Sequence, residues 1–104
     1  AERARLIDLR RQATVKPSDA DVRYEAGVIL LRQGFQAEGL EWLASALRVA
    51  PRHQKTHAFL ARYYADVGDQ AKAARHRLLA AEALQDAKTA GAGTAAAPAG
   101  KNPG

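Results

Sequence analysis

The chain has no cysteine and no methionine among its 104 residues. Without cysteine it can form no disulfide, thiolate metal site or thiol nucleophile, and cysteine usage indicates no redox compartment. No apolar run approaches the roughly 20 residues that a helix needs to cross a bilayer. These absences exclude disulfide-stapled proteins and thiol enzymes and predict no membrane span. The length of 104 residues leaves room for at most one small domain with a modest core.

The lack of methionine also means that the sequence as it stands has no initiator residue. Removal of an initiator, excision from a longer protein and removal of a signal peptide would each account for this. Ala1 and Glu2 suit a start after a small-residue cleavage site. On that ground we expect a secreted, extracellular or periplasmic location rather than a cytoplasmic one.

Positive charge exceeds negative charge, with 16 Lys and Arg against 11 Asp and Glu and a formal net charge of +5. Such an excess fits either a solvated helical surface or a face that binds nucleic acid. We favour the solvated surface, and nucleic acid is the distant alternative. Its contact residues would be Arg3, Arg10, Arg11, Arg75 and Arg77.

The strongest internal signal is a repeat with a period of 34 residues. A shift by that period superposes small and apolar positions, namely Ala26 on Leu60, Gly27 on Ala61, Gly34 on Gly68, Gly39 on Ala73 and Ala46 on Ala80. Such a period is typical of an array in which each unit buries its apolar face only against its neighbours.

Apolar spacing at three and four residues, with proline and glycine at the boundaries, predicts an all-α protein of five helices. Ser18 followed by Asp21 resembles a capping box, Gly34 and Gly68 fit helix C-termini, and Asp69 can cap the last helix. Gly27 in mid-helix predicts the close approach of a neighbouring helix. The expected helices are 2–15, 18–33, 36–49, 53–67 and 69–87, followed by a low-complexity tail, 88–104, that we expect to be extended.

Paired helices at this period resemble the tetratricopeptide repeat (TPR) family. Small residues fill the family's close-contact positions, namely Gly27, Gly39 and Ala46, and then Ala61, Ala73 and Ala80. The resemblance implies an antiparallel helix-pair solenoid of about two and a half repeats over residues 1–87. It divides this domain into a half repeat (1–17) and two full repeats (20–53 and 54–87). Gln85 replaces the closing proline, so the last helix can continue.

In this family the first helix of each repeat lines a concave groove. The resemblance therefore implies a peptide or partner groove formed by Asp21, Tyr24, Val28, Leu31, Lys55, Ala58, Arg62 and Asp66. Tyr24 and Val28 depart from the Lys and Asn of family members that clamp chaperone carboxylates, so that particular role is disfavoured.

Nothing in the sequence indicates catalysis or a metal. His53 and His57 are four residues apart, which brings two imidazoles to one helix face, but no third ligand or HExxH pattern accompanies them. We read them as polar residues at a helix start, and His76, between Arg75 and Arg77, as a solvated side chain. Without a nucleophile–base set or a phosphate loop, we predict a non-catalytic protein with no cofactor.

The ends of the array are its least covered parts, since solenoids need about three repeats and polar caps. We predict that apolar residues at both ends mediate self-association, namely Leu6, Leu9, Ala74, Leu78, Ala81 and Leu84. Stacking of one end on the other would assemble copies head-to-tail into a ring or a filament, with the tail in a neighbour's groove. The main alternative is a peptide-binding adaptor domain from a larger protein.

Overall fold

A computed structural model describes residues 2–96 of the chain, with side chains over residues 2–89. Within this part the chain forms five α-helices and no strand, which confirms the all-α prediction. The helices are α1 (Glu2–Val15), α2 (Ala20–Arg32), α3 (Gln36–Val49), α4 (Gln54–Asp66) and α5 (Gln70–Ala96).

The helix boundaries follow the expected capping chemistry with one correction. The N-cap of α2 is Asp19 rather than Ser18, and its carboxylate accepts the backbone N–H of Val22 at 3.3 Å. Asp69 caps α5 as predicted, accepting from Lys72 N at 3.1 Å. Gly34 and Gly68 follow α2 and α4 with φ angles of 88° and 90°, which glycine adopts without a Cβ penalty.

The expectation of an extended tail from residue 88 is wrong for residues 88–96, because α5 continues through Ala96. Four of the nine residues 88–96 are alanine, the best helix former, and no proline interrupts the stretch before Pro98. Gln85 stands where a proline would have ended the helix. The remainder of the predicted tail, 97–104, lies outside the described residues.

The chain divides into two compact units, Ala1–Thr56 and His57–Gly104, called here the N-terminal and C-terminal units. The core of the N-terminal unit packs α1 against α2, with Trp42 of α3 beside it. It comprises Leu6, Leu9, Ala13, Val22, Ala26, Ile29 and Leu30. The Arg23 guanidinium lies 5.9 Å from the centroid of the Trp42 ring.

The helices α2 and α3 pack most closely where Gly27 faces Gly39. A Cβ atom on Gly27 would lie 2.9 Å from the carbonyl oxygen of Gly39 and 2.8 Å from Cγ of Leu43. A Cβ atom on Gly39 would lie 2.7 Å from Cγ of Leu31. The crossing therefore has no room for a side chain at either glycine, which confirms the close approach predicted from Gly27.

Among the described residues, none of the helices combines the length and the apolar character that a membrane crossing requires.

Candidate functional site

The residues predicted to line a groove are engaged in internal contacts where they fall in the N-terminal unit. Val28 is only 7% exposed and belongs to the core, and Leu31 is half-buried beside Gly39. The half-buried Tyr24 ring lies 5.8 Å from the ring of His53. Val28 therefore offers almost no surface to a ligand, and the Tyr24 ring is already in contact with His53.

Asp21 connects the first turn of α2 to residues at the start of α4. Its carboxylate oxygen Oδ1 lies 2.7 Å from Nε2 of His53 and 3.8 Å from Nζ of Lys55. Nδ1 of the same histidine lies 2.6 Å from Oγ1 of Thr56. The bond to His53, and then the Lys55 charge, hold the pKa of the Asp21 carboxyl below its usual value.

This sequence of hydroxyl, imidazole and carboxylate resembles a nucleophile–base–orienter set, which sequence analysis did not find. Thr56 has no exposed surface, however, so its hydroxyl meets no substrate. When Nε2 of His53 donates to the Asp21 carboxylate, Nδ1 of the same ring is free of a proton and accepts from the Thr56 hydroxyl. The geometry fits a structural tether that satisfies buried polar groups.

A second cluster, in the C-terminal unit, joins His57, Tyr64 and His76. The Nδ1 atoms of the two histidines are 3.0 Å apart, and the Tyr64 and His76 rings stack at 5.7 Å with an interplanar angle of 11°. His57 is 4% exposed and His76 is half-buried, so the expected solvated His76 is wrong. Stacking of Tyr64 from α4 on His76 from α5 covers part of this ring. Within residues 2–89 no three metal-ligating side chains converge.

The contact between His57 and His76 predicts that the folded chain loses stability on mild acidification. Burial, followed by the charges of His57, Arg75 and Lys72, lowers the pKa of His76 below the ordinary 6.5. Below pH 6.5 the unfolded chain therefore binds a proton that the folded chain resists, so stability falls as the pH falls through this range.

The free energy of unfolding is measured with urea for the chain and for His76→Gln between pH 7.5 and pH 5. This range brackets the ordinary imidazole pKa of about 6.5. We expect the free energy of unfolding to fall less steeply with acidification in the variant. His53→Gln is the control, because it leaves the His57–His76 pair in place. Equal pH dependence in the chain and in His76→Gln would contradict the prediction.

The predicted groove residues of the C-terminal unit are open to solvent. Ala58, Arg62 and Asp66 are all exposed on α4. Ala58 and Arg62 line a cleft of about 320 Å³ together with Ala61, Ala65 and Arg77. This cleft brings together two predicted groove residues and one arginine, Arg77, that was not predicted to take part.

The predicted self-association residues separate into two groups. Leu6 and Leu9 are 7% and 0% exposed in the core of the N-terminal unit, so their assignment to an open end is corrected. The exposed large apolar residues of α1 are Ile7 and Val15, at 63% and 71%. The mistake arises because α1 carries apolar residues on two opposite faces, and periodicity alone does not say which face is covered.

On α5 the predicted residues do face solvent. Leu78 and Leu84 are 60% and 46% exposed, and Ala74 and Ala81 are exposed beside them. Among residues 70–89 of the same helix, the buried ones are Ala73, Ala80 and Ala83. Ala74, Leu78 and Ala81 follow a spacing of four and three, so they form one stripe, called here the α5 apolar face.

No protein-family model, curated protein sequence or solved structure matches this chain. Its function is therefore inferred from the surfaces described above.

Proposed function

We propose that this chain is a non-catalytic, TPR-like helical-repeat protein whose main partner is a second copy of itself. The observation that carries the proposal is the α5 apolar face, where Leu78 stands 60% exposed between exposed Ala74 and Ala81. A contiguous apolar stripe on a small protein is typical of an interaction surface.

The repeat type is supported by three features that agree with one another. The sequence period is that of paired helices, Gly34 and Gly68 end equivalent helices with positive φ, and Gly27 meets Gly39 between α2 and α3. In such arrays a helix face left uncovered by its own unit is the surface on which the next unit stacks.

A head-to-tail arrangement is supported by the uncovered apolar surface of α1. Ile7 and Val15 point away from the core residues Leu6 and Leu9 and are more exposed than Leu78. Packing of the α5 apolar face on the exposed face of another copy's α1 would be a heterologous contact, which grows into a ring or a filament. An interface built on so few large side chains falls at the low end of interface sizes, below about 1,200 Å², so we expect weak, concentration-dependent association.

The first test is the solution mass of the chain and of Leu78→Ser by light scattering over a wide concentration range. We expect the mass of the chain to rise with concentration and that of the variant to stay monomeric, with unfolding free energies within about 0.5 kcal/mol because Leu78 is exposed. Leu78→Met is the matched control, since it keeps an apolar side chain of similar volume. A monomeric wild-type chain at every concentration would sink the proposal.

Mixing two variants tests the head-to-tail arrangement itself. Leu78→Ser loses the α5 apolar face, whereas Ile7→Ser with Val15→Ser loses the exposed face of α1, so neither should assemble alone. Mixed in equal amounts, they should form a dimer and nothing larger, because each supplies the face that the other lacks. Continued self-association of the α1 double variant would instead indicate an α5-to-α5 contact.

The nucleic-acid alternative receives less support from the positions of its arginines. Arg10 forms a salt bridge with Glu38 at 2.7 Å, and Arg11 forms one with Asp8 at 2.6 Å. Partial neutralisation of these two guanidiniums reduces the positive potential that phosphate binding needs.

A further inference from the structure

The cleft of the C-terminal unit combines a floor of small side chains with two arginines. Ala58, Ala61 and Ala65 line it from α4, and Arg62 and Arg77 complete it from the two helices. Ala61 is 6% exposed, which places it at the base, whereas both arginines are exposed. Its volume of about 320 Å³ suits a short segment of chain rather than a whole domain.

The two arginines of the cleft differ from five other arginines, which are neutralised by salt bridges, namely Arg5, Arg10, Arg11, Arg32 and Arg48. Arg5 bonds both oxygens of Glu25 at 2.7 Å, and Arg32 and Arg48 pair with Glu2 and Glu41. Arg62 and Arg77 form no salt bridge within the described part of the chain, even though Asp66 follows Arg62 by one helical turn. Two guanidiniums thus flank one cleft with their donors uncommitted.

The alanine floor determines what these donors can reach. Small side chains let the main chain of a ligand approach α4 closely, while the longer arginines extend beyond the floor toward its side chains. A guanidinium presents a planar fork of N–H donors that matches a carboxylate, and such charge-assisted pairs are the stronger hydrogen bonds.

We propose that the cleft of Ala58, Ala61, Arg62, Ala65 and Arg77 binds an acidic segment of a partner protein, with carboxylates on Arg62 and Arg77. The ligand is a peptide carrying at least two Asp or Glu residues separated by small residues. This function goes beyond self-association, and it uses different residues from the α5 apolar face.

The test uses a fluorescent peptide of alternating glutamate and alanine as the probe, with the matching glutamine–alanine peptide as the neutral control. Anisotropy titrations are made in the Leu78→Ser background, so that self-association neither competes nor confuses the result. We expect the glutamate peptide to bind, the glutamine peptide not to bind, and added salt to weaken the affinity. Arg62→Gln with Arg77→Gln should lower the affinity at least about tenfold, since two charge-assisted contacts are lost.

A matched control separates the cleft from net charge. Arg3→Gln with Arg75→Gln removes the same two charges from arginines outside the cleft, and it should leave the affinity within about twofold of the parent. An equal loss in both double variants would overturn the proposal in favour of non-specific attraction. Failure of the glutamate peptide to bind, with binding of a single-stranded oligonucleotide that depends on Arg62 and Arg77, would assign the cleft to nucleic acid.

Discussion

Replacing Gly27 with valine is expected to destabilise the N-terminal unit by about 2 to 3 kcal/mol, because the new side chain has no space at the α2–α3 crossing. Its Cβ alone would lie 2.9 Å from the Gly39 carbonyl oxygen, a backbone atom that moves only if the helices separate. The gain in helix propensity on removing glycine, about 1 kcal/mol at most, does not offset the clash. The measurement is urea unfolding followed by circular dichroism.

Gly34→Ala is the matched control, because Gly34 is needed for a different reason. No atom lies within 4 Å of a Cβ placed there, but its φ of +88° disfavours any residue with a side chain. We expect a loss of about 1 kcal/mol, the usual cost of the left-handed conformation. A Gly27→Val loss no larger than that of Gly34→Ala would show that the helices can separate without cost.

Leu9→Ala should cost about 3 kcal/mol of unfolding free energy, because Leu9 has no exposed surface and its removal leaves a cavity between α1 and α2. Ile7→Ala, two residues away on the opposite face, should change stability by less than about 0.5 kcal/mol. Urea unfolding gives both values. The pair separates the two roles of α1, since the first change affects folding and the second should affect only association.

Light scattering measures the self-association of the same two variants, Ile7→Ala and Leu9→Ala. Ile7→Ala should weaken self-association at unchanged stability, whereas Leu9→Ala should leave association intact wherever the unit remains folded. If Leu9→Ala weakened association and Ile7→Ala did not, Leu9 would have to be exposed, which would contradict its burial.

Much of the fold could be predicted because its determinants are local. The range 2–15 and the range 36–49 match α1 and α3, since proline and glycine punctuate an apolar pattern of helical spacing. Gly27 could be interpreted as a crossing point because a glycine in mid-helix needs a reason. Asp19, not Ser18, is the cap of α2, an error of one residue between two good capping side chains.

What could not be predicted depends on contacts between distant residues or on the choice between faces. The bond between His53 and Asp21 joins residues 32 positions apart, and no sequence pattern links them. The contact of His57 with His76 is of the same kind. For α1 the sequence offers two apolar faces, and only packing against α2 shows that Leu9 is inside and Ile7 outside.

The position of the single tryptophan gives the two units separate optical reporters. Trp42 packs on the core of the N-terminal unit and has the Arg23 guanidinium 5.9 Å from its ring centroid, so its emission is sensitive to the unfolding of that unit. The C-terminal unit has no tryptophan but contains Tyr63 and Tyr64, whose ring centroids are 5.2 Å apart. Tryptophan emission thus follows one unit while helical ellipticity follows both, and transitions that do not coincide would reveal independent unfolding.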